Sequence, residues 1–487
     1  MTLLDVPMLM GMPRVAVAPR LTIVEANAAQ LAAYQRLRRE VFVTEQGLFA
    51  GNDHDRLDDD PRTIVLVAVA GGAIGSGEVA VDGQVLGGVR IAPALEGRDI
   101  GWWTGSRLVV APASRGRAGI GGALVREACL RAERAGALRF EATVQAQNET
   151  MFGQLGWHRF GETVIGGLDH VRMRWPISRI ARLAEHSKAF LAELLEPYSD
   201  WSDSAPSSLG GAGFVGDDGA PVPETDVIAA CDAILPALID SDPEWAGWCA
   251  VLVNANDLAA MGARPLGLMN AIGARDAATA RRVMNGLRAG SQAWGIPVLG
   301  GHTQLGVSSA LSVTALGRTD APVPGGGGRQ GQALSLTIDT GGIWRRGFEG
   351  AQWDSSSTRS SADLRALCEA VAVARPAAAK DVSMAGIVGT VGMLAESSGC
   401  GAVLEVGSIP SPKDVAFGDW LSCFPGFGMI TADAAGASRM PATVADIADV
   451  ESGEIGRLTI VRGVQLAWPD GVVTEGIPGS VTGLERA

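Results

Sequence analysis

The chain has 487 residues, 53 acidic against 40 basic side chains, and a net charge of −13 at neutral pH. This length exceeds one hydrophobic core and predicts two or three domains. The acidity argues against nucleic acid and against an anionic membrane surface as partners. The six cysteines lack the paired spacing of zinc or redox sites, so we expect buried apolar residues in a reducing, cytoplasmic setting.

No targeting or membrane segment is predicted. The apolar first 20 residues have no basic leader, which argues against a signal peptide. The most apolar run, residues 63–81, is broken by four glycines and therefore predicts a β-hairpin instead of a membrane span. The acidic segment 53–63 lacks the glycine and glutamate spacing of a calcium loop and is expected to be a solvated turn.

A glycine-rich turn follows an apolar strand at residues 107–125. The strand passes through Pro112 into the turn, and an amphipathic helix begins after it. Free amides at a helix N-terminus beside Arg115 and Arg117 are suited to binding a pyrophosphate. The turn is not a Walker loop, and Leu124 stands where a dinucleotide-binding fingerprint needs its third glycine.

Residues 20–177 resemble the GNAT acyltransferase family. The resemblance rests on the segment ASRGRAGIGGALV, on Asn148, and on Phe152 followed by Leu-Gly-Trp. It implies a mixed sheet with flanking helices that binds acetyl-CoA or another acyl-CoA. The residues implied for acyl-CoA are Val109, Val110, Arg115, Arg117, Gly119, Gly121, Gly122 and Asn148.

This resemblance has a gap at the catalytic position. Phe152 stands where the family often has a tyrosine that protonates the departing thiolate, and phenylalanine has no proton to give. Acyl transfer to an amine also needs a general base. Glu78 and Glu141, both on predicted strands, are the candidates. An N-acyltransferase is thus one reading, and a non-catalytic CoA-binding or assembly module is the alternative.

The apolar spacing of residues 177–198 predicts one amphipathic helix, and a small, polar, flexible stretch follows it. We therefore divide the chain into an N-terminal extension (1–20), an acyl-CoA-binding domain (21–177), a linker helix and loop (178–205) and a second domain (206–487).

The second domain is organised around residues 254–265, NANDLAAMGARP. An Asn-Ala-Asn turn is expected to place Asp257 in a helical first turn, with Gly262 ending the helix and Pro265 preventing its return. Other aspartates lie in glycine-rich or strand-end settings at positions 217, 218, 232 and 381. Such hard oxygen ligands suit magnesium bound together with the phosphates of a nucleotide.

Residues 205–480 resemble the superfamily of aminoimidazole ribonucleotide (AIR) synthetase, selenophosphate synthetase, thiamine-monophosphate kinase and the hydrogenase maturation dehydratase. The motifs are GDDGA at 216–220, Cys231-Asp232, NDLAAMGARP, Gly300-Gly301-His302-Thr303 and Lys380-Asp381-Val-Ser. The resemblance implies a two-part α+β domain that uses ATP and Mg²⁺ on a small molecule and pairs as a homodimer. The implied metal ligands are Asp217, Asp218, Asp232, Asp257 and Asp381, and the implied ATP contacts are Asn256, Gly300, Gly301, Thr303 and Lys380.

Two positions depart from the superfamily pattern. Met384 replaces an acidic residue of the Asp-x-Ser-Asp-Gly-Gly motif, and His302 replaces an acid after the glycine pair. The reactive cysteine is missing too, which excludes selenophosphate synthesis and carbamoyl dehydration. Phosphorylation of thiamine phosphate, or an AIR-synthetase-like dehydration or cyclisation, stays open. The sequence thus predicts a bifunctional enzyme of small-molecule biosynthesis. The alternatives are a catalytic second domain with a non-catalytic first one, or an assembly partner with two lost sites.

Overall fold

The structure is a computed structural model that describes residues 21–70, 84–116, 119–198, 209–210, 214 and 216–484. They form two compact units, and the division falls between Ile177 and Ser178. In the described ranges no helix has the length and apolar character needed to cross a membrane. Glu78, Arg117 and the second strand of the predicted hairpin lie outside the described residues.

In its described residues, the first unit is a seven-stranded mixed sheet with helices on both faces. Its strands are β1 (Leu21–Glu25), β2 (Ile64–Ala70), β3 (Val85–Pro93), β4 (Trp102–Val110), β5 (Arg139–Gln145), β6 (His158–Ile165) and β7 (Leu168–Trp175). Its helices are α1 (Ala28–Arg38), continued by a π-helical segment (Arg39–Glu45), α2 (Ile120–Arg134) and α3 (Glu149–Gln154). The strand order is β1-β2-β3-β4-β5-β7-β6, and only the β4–β5 pair is parallel.

The apolar run in β2 is continuous because both faces of the sheet are covered. Leu66 and Ala68 pack in the core cluster under α2, whereas Val67 and Val69 pack in the cluster under α1. The run is therefore a buried strand, as its composition predicts, and its antiparallel partner is β3.

Strands β4 and β5 separate part-way along their length. They pair from Trp102 and Arg139 to Gly105 and Ala142, although both strands continue beyond those residues. Just past the last pair, Arg107 has a φ of 54°, which L side chains rarely adopt. The end of β4 stays paired with β3. A gap therefore opens between β4 and β5.

The described residues of the second unit form three sheets. The five-stranded sheet has the order β11-β10-β12-β9-β8 and consists of β8 (Ala220–Pro221), β9 (Val227–Ile234), β10 (Arg264–Ala274), β11 (Val298–Leu305) and β12 (Ala310–Arg318). The seven-stranded sheet has the order β16-β19-β13-β20-β17-β21-β22 and consists of β13 (Ala333–Asp339), β16 (Ala378–Asp381), β17 (Gly401–Glu405), β19 (Gly428–Asp433), β20 (Val450–Thr459), β21 (Val464–Ala467) and β22 (Val473–Ile477). The small sheet has the order β14-β15-β18 and consists of β14 (Ile343–Trp344), β15 (Gln352–Asp354) and β18 (Phe424–Pro425).

The helices of this unit are α4 (Arg179–Lys188), α5 (Leu191–Leu195), α6 (Pro236–Ser241), α7 (Pro243–Ala260), α8 (Ala277–Trp294), α9 (Ser361–Ala374), α10 (Gly386–Ser397), α11 (Phe417–Ser422) and α12 (Met440–Val444). The linker helix predicted over 177–198 is wrong as a single element, because it is divided into α4 and α5.

Helix α7 is the centre of the core in the second unit. Most of its residues are buried, so it is apolar on nearly all sides. Its backbone touches that of α8, since a Cβ on Gly286 would lie 1.9 Å from the carbonyl oxygen of Glu244. Ile228, Leu268 and Val313 of the five-stranded sheet pack in the same cluster.

The predicted turn at residues 254–256 is wrong, because α7 runs through it. The side-chain amide of Asn254 donates to the carbonyl of Ala250 one turn earlier, over 2.9 Å, and so remains within the helix. Asp257 consequently lies in the last turn of a long helix and not in a first turn. Gly262, with a φ of 65°, follows the helix end as predicted.

The cysteines are largely as predicted. Those at 129, 249, 368 and 423 are buried, and Cys400 is half-buried. The prediction is wrong for Cys231, which is exposed on β9.

Candidate functional site

Aspartates from four parts of the chain interact electrostatically inside the second unit. This carboxylate cluster comprises Asp217, Asp218, Asp232, Asp257 and Asp381. The first two lie in the loop before β8, and the others lie on β9, in the last turn of α7 and at the end of β16. The fold therefore brings together the five aspartates that the sequence singled out.

Lys380 is a basic residue in direct contact with the cluster. Its Nζ lies 2.9 Å from Oδ1 of Asp218 and 3.1 Å from Oδ1 of Asp217. Burial alone would lower the pKa of Lys380, but the two aspartates outweigh it and raise that pKa above its ordinary value. The ammonium is thus held charged between two carboxylates.

Backbone amides fix the two loop aspartates further. The amide of Gly325 donates to Oδ2 of Asp217 over 2.7 Å, and the amide of Asp381 donates to Oδ2 of Asp218 over 3.2 Å. Amide donors stabilise carboxylates in a set orientation. The loop is therefore tied to β16.

The other three aspartates lack such compensation. Burial, followed by repulsion from Asp381, Asp232 and Asp218, raises the pKa of Asp257 well above its ordinary value. Burial and the charges of Asp218 and Asp232 do the same to the pKa of Asp381. Burial also raises the pKa of Asp232, and the charge of Lys188 only partly offsets it.

The dipole of helix α7 further disfavours the negative charge of Asp257. Asp257 lies near the C-terminal end of α7, where the helix dipole disfavours a negative charge. A cation would relieve the repulsion among these oxygens. Hard carboxylate oxygens are ligands that Mg²⁺ accepts, so the donor set fits that ion in kind. In the described part of the chain, however, no three His, Cys, Asp or Glu side chains already form a metal-binding group.

A second candidate site is a cavity of about 1000 Å³ in the first unit. It lies at the gap between β4 and β5, with Val109 and Val110 on one strand and Thr143 and Gln145 on the other. Of the residues implied for acyl-CoA, seven line this cavity: Val109, Val110, Arg115, Gly119, Gly121, Gly122 and Asn148. The eighth, Arg117, lies outside the described residues.

The glycine turn supplies free amides to this cavity. Gly119 has a φ of 60° and precedes α2, and no side chain caps the helix. The amides of its first turn are therefore available to an anion. Arg115 is beside them but is bound to Glu45, with nitrogen–oxygen distances of 2.5 and 2.7 Å. A phosphate that uses Arg115 has to share it with Glu45.

The geometry does not favour Glu141 as a general base. Glu141 is buried, and it is not among the residues that line the cavity. Arg139 donates to both of its oxygens over 2.8 and 2.9 Å, and Arg174 donates to Oε1 over 2.8 and 2.6 Å. Two guanidinium groups occupy the carboxylate, so Glu141 fixes β5 to β7.

The acidic segment near residue 55 is not the solvated turn that its composition predicts. Asp53 and Asp58 are buried. Arg38 contacts Asp53 and Asp58 over 2.7 and 2.5 Å, and Arg107 contacts Asp55 over 2.8 Å. The prediction fails because these arginines come from distant positions in the chain.

Models of two consecutive domain families match the chain. The AIR synthase related protein N-terminal domain matches residues 216–319, and the AIR synthase related protein C-terminal domain matches residues 335–468. The chain is 34% identical over 231 residues to "Uncharacterized protein sll0787" of Synechocystis sp., covering 44% of this chain and 69% of that protein. The chain belongs to the AIR synthase related family.

Three further comparisons give lower identities. "Uncharacterized protein MJ0640" of Methanocaldococcus jannaschii is 33% identical over 193 residues, which are 38% of this chain and 59% of that protein. Thiamine monophosphate kinase from Aquifex aeolicus (17% identity, TM-score 0.42) matches 58% of this chain and 97% of its own. Phosphoribosylformylglycinamidine synthase II from Thermotoga maritima (15% identity, TM-score 0.48) matches over 62% of this chain and 52% of its own chain. The two structural likenesses are too low to carry a functional argument.

Several implied ATP contacts of the AIR synthase related unit lie apart from the cluster. Asp232, Val313, Asn270 and Gly301 form one row across four neighbouring strands. Three interstrand spacings separate Gly301 from Asp232, or roughly 14 Å. Residues 299–305 are exposed on the edge strand β11, so Gly300, Gly301, His302 and Thr303 do not join the cluster within one chain.

Asn256 is buried, and its side-chain amide donates to the carbonyl of Gly426 over 3.3 Å. Its role as an ATP contact of the AIR synthase related unit stays a prediction. Met384, at the position of the missing acid, is exposed.

Sequence reasoning missed two residues at the cluster. Lys188, at the end of α4, lowers the pKa of Asp232 and of Asp381 by its charge. Its segment reads only as a linker helix in sequence. Gly325, which holds Asp217, comes from a run of four glycines with no distinguishing motif.

Proposed function

We propose that the chain is a bifunctional enzyme of small-molecule biosynthesis. Its AIR synthase related unit binds Mg²⁺ and ATP and phosphorylates or otherwise activates a small substrate. Its first unit binds an acyl-CoA and transfers the acyl group to an amine. The observation that carries the first part is the buried carboxylate cluster, whose charge only partly balances against Lys380 and Lys188.

The cluster divides into two groups by its contacts. Asp217 and Asp218 are bound by Lys380 and by backbone amides, which fixes their loop. Asp232, Asp257 and Asp381, which have no bonded basic partner in the described part of the chain, are the residues that would hold Mg²⁺. Such an ion neutralises phosphate charge, and phosphoryl transfer depends mainly on that and on positioning.

The exposed edge strand β11 supports a homodimer through the second unit. Leu299 is 76% exposed and Leu305 is 54% exposed on this strand. The open edge of a sheet is a template for pairing with another chain. A second copy at this edge would cover these side chains, together with the Gly300–Thr303 segment.

The cavity of the first unit supports acyl-CoA binding. Seven implied acyl-CoA residues line one space, and the uncapped first turn of α2 offers amides to a pyrophosphate. Phe152 favours the alternative of a non-catalytic CoA-binding module. It is buried, with its ring 5.3 Å from that of Trp157, and it has no proton to donate.

Calorimetry on the full chain tests both parts separately. Acetyl-CoA and Mg-ATP are each expected to bind at micromolar to low-millimolar concentration. Absence of Mg-ATP binding contradicts the assignment of the second unit, and absence of acetyl-CoA binding contradicts that of the first. Acetyl-CoA binding without release of free thiol in the presence of any primary amine favours the non-catalytic module.

A further inference from the structure

The cavity of the first unit contains an imidazole that no sequence motif singles out. His170 lies near the start of β7, is 5% exposed and lines the cavity. It is the one histidine among the described residues that line it. Its neighbours on the flanking strands are Gln145 of β5 and Thr163 of β6.

One hydrogen bond fixes the protonation pattern of the neutral ring. Nδ1 of His170 lies 2.8 Å from the carbonyl oxygen of Leu168. A carbonyl oxygen can only accept, so Nδ1 carries the hydrogen and Nε2 holds the lone pair. Within the described ranges, no group forms a hydrogen bond with Nε2. His170 therefore presents a base on the wall of the cavity.

The carboxylates of the same cavity are poorer bases. Hydrogen bonding to Arg115 lowers the pKa of Glu45. Burial raises the pKa of Asp55, but Arg90 and Arg107 outweigh it and bring that pKa below its ordinary value. Both groups are therefore held as carboxylates by guanidinium partners. Glu141 is not in the cavity wall, and Phe152 cannot exchange a proton.

We propose that His170 is the general base of acyl transfer, an inference that rests on the proposed acyltransferase function of the first unit. The amine nitrogen of the acceptor bonds to the thioester carbonyl carbon and gives its proton to Nε2 of His170. The carbon–sulfur bond then breaks, its electron pair leaves with sulfur, and the imidazolium returns the proton to the thiolate. The products are the amide and free CoA, with no net proton exchanged.

The proton return also accounts for the missing tyrosine. Phe152 cannot give a proton to the thiolate. That proton comes instead from His170, which received it from the amine nitrogen. Positioned general bases typically contribute about 10²- to 10⁴-fold to rate. The acceptor class is a primary amine in its neutral form, since an ammonium nitrogen has no lone pair to attack with.

The test compares His170→Asn and His170→Gln with the wild-type full chain. Asparagine keeps a donor near the carbonyl of Leu168 but has no nitrogen at the position of Nε2. The matched control is His158→Asn, on the exposed start of β6 and outside the cavity wall. Probes are acetyl-CoA with a panel of primary amines, read by thiol release, and acetyl-CoA alone, read by calorimetry.

We expect at least a 100-fold loss of kcat in both His170 variants, while the Kd for acetyl-CoA stays within about threefold. The pH–rate profile should also lose its acidic limb, which reports protonation of the base. The other titratable groups facing the cavity, at positions 45, 55, 90, 107 and 115, are unchanged in these variants. His158→Asn should keep the wild-type rate and profile.

A second readout, which needs no turnover, is the proton NMR signal of the imidazole Cε1–H of His170. It is assigned by its loss in His170→Asn. Acetyl-CoA should shift this signal in the wild type and leave that of His302 in place. One outcome is that the wild type turns over while His170→Asn keeps the same rate or the acidic limb of the pH–rate profile. That result overturns the role of His170 and leaves acyl transfer by the unit standing. Acetyl-CoA binding without turnover overturns acyl transfer and that role with it. No binding overturns the proposed function of the unit.

Discussion

Lys380 and Asp218 form a buried ion pair, with Nζ 2.9 Å from Oδ1. The same ammonium reaches Asp217, while the amide of Asp381 holds the other oxygen of Asp218. One cation therefore serves two carboxylates and leaves the aspartates of β9, α7 and β16 without a bonded basic partner among the described residues. This arrangement needs another cation for full compensation.

Replacing Lys380 by methionine should destabilise the second unit. Breaking one side of a buried ion pair leaves an uncompensated charge and typically costs about 3–5 kcal/mol. We expect a lower melting temperature at neutral pH and a partial recovery with millimolar Mg²⁺. The matched control is Lys413→Met, because Lys413 is exposed. Equal melting temperatures for the two variants would show that the ion pair is not needed for stability.

Stability of the first unit should fall in acid through Asp58. Burial raises the pKa of Asp58, but the hydrogen bonds from Arg38 and from the amide of Asp55 more than offset it. The pKa in the folded state is thus depressed. The stabilisation is present above the unfolded pKa, about 3.9, and is lost as pH falls through the lower folded value.

The corresponding experiment compares Asp58→Asn with Asp59→Asn, whose side chain is 77% exposed. Asp58→Asn should melt well below the wild type at pH 7, and the difference should narrow below about pH 4. Asp59→Asn should match the wild type at every pH. A difference that is independent of pH would mean that ionisation of Asp58 is not the source of the stabilisation.

Glu141→Gln should separate structure from catalysis in the first unit. Glutamine cannot balance Arg139 and Arg174, so the melting temperature should drop by an amount equivalent to about 3 kcal/mol. The Kd for acetyl-CoA should not change, because the side chain does not line the cavity. Unchanged stability together with lost turnover would restore Glu141 as a catalytic candidate.

Gly121→Asp should weaken acetyl-CoA binding. A Cβ at Gly121 meets only ordinary contacts, 3.7 Å from Sδ of Met151 and 3.8 Å from Val110, so Gly121→Ala is a suitable control. The added carboxylate lies at the helix start, where it competes with and repels a phosphate. Calorimetry should show at least tenfold weaker binding for Asp and near wild-type binding for Ala. Equal affinities would remove the glycine turn from the binding site.

The sequence predicted β2 and α2, because both have clear apolar patterns. It also identified the aspartates that the fold brings together. It placed Asp257 in the first turn of a helix for two reasons. A helix that is apolar on all sides has no hydrophobic periodicity to show where it begins, and the Asn-Ala-Asn segment has the composition of a turn. The buried aspartates 53 and 58 were missed because Arg38, Arg90 and Arg107 lie far from them in sequence.

Local patterns also cannot reveal which residues share one space. Gly300 and Gly301 look like part of a nucleotide site, yet the register places them three strands from Asp232. His170 has no motif, and its position in the cavity follows only from the pairing of β5, β6 and β7. Lys188 reaches the cluster from a helix that sequence treats as a linker.

Calorimetric titration of Mg-ATP into Asp257→Asn and the wild type tests the carboxylate cluster most directly. Ionised Asp257 is repelled by its neighbours, so a neutral isostere should not lower the melting temperature. As a metal ligand, however, it should be needed for the nucleotide. The account predicts at least tenfold weaker Mg-ATP binding at an unchanged or higher melting temperature. Equal affinity of the two proteins, or no Mg-ATP binding by the wild type, would contradict it.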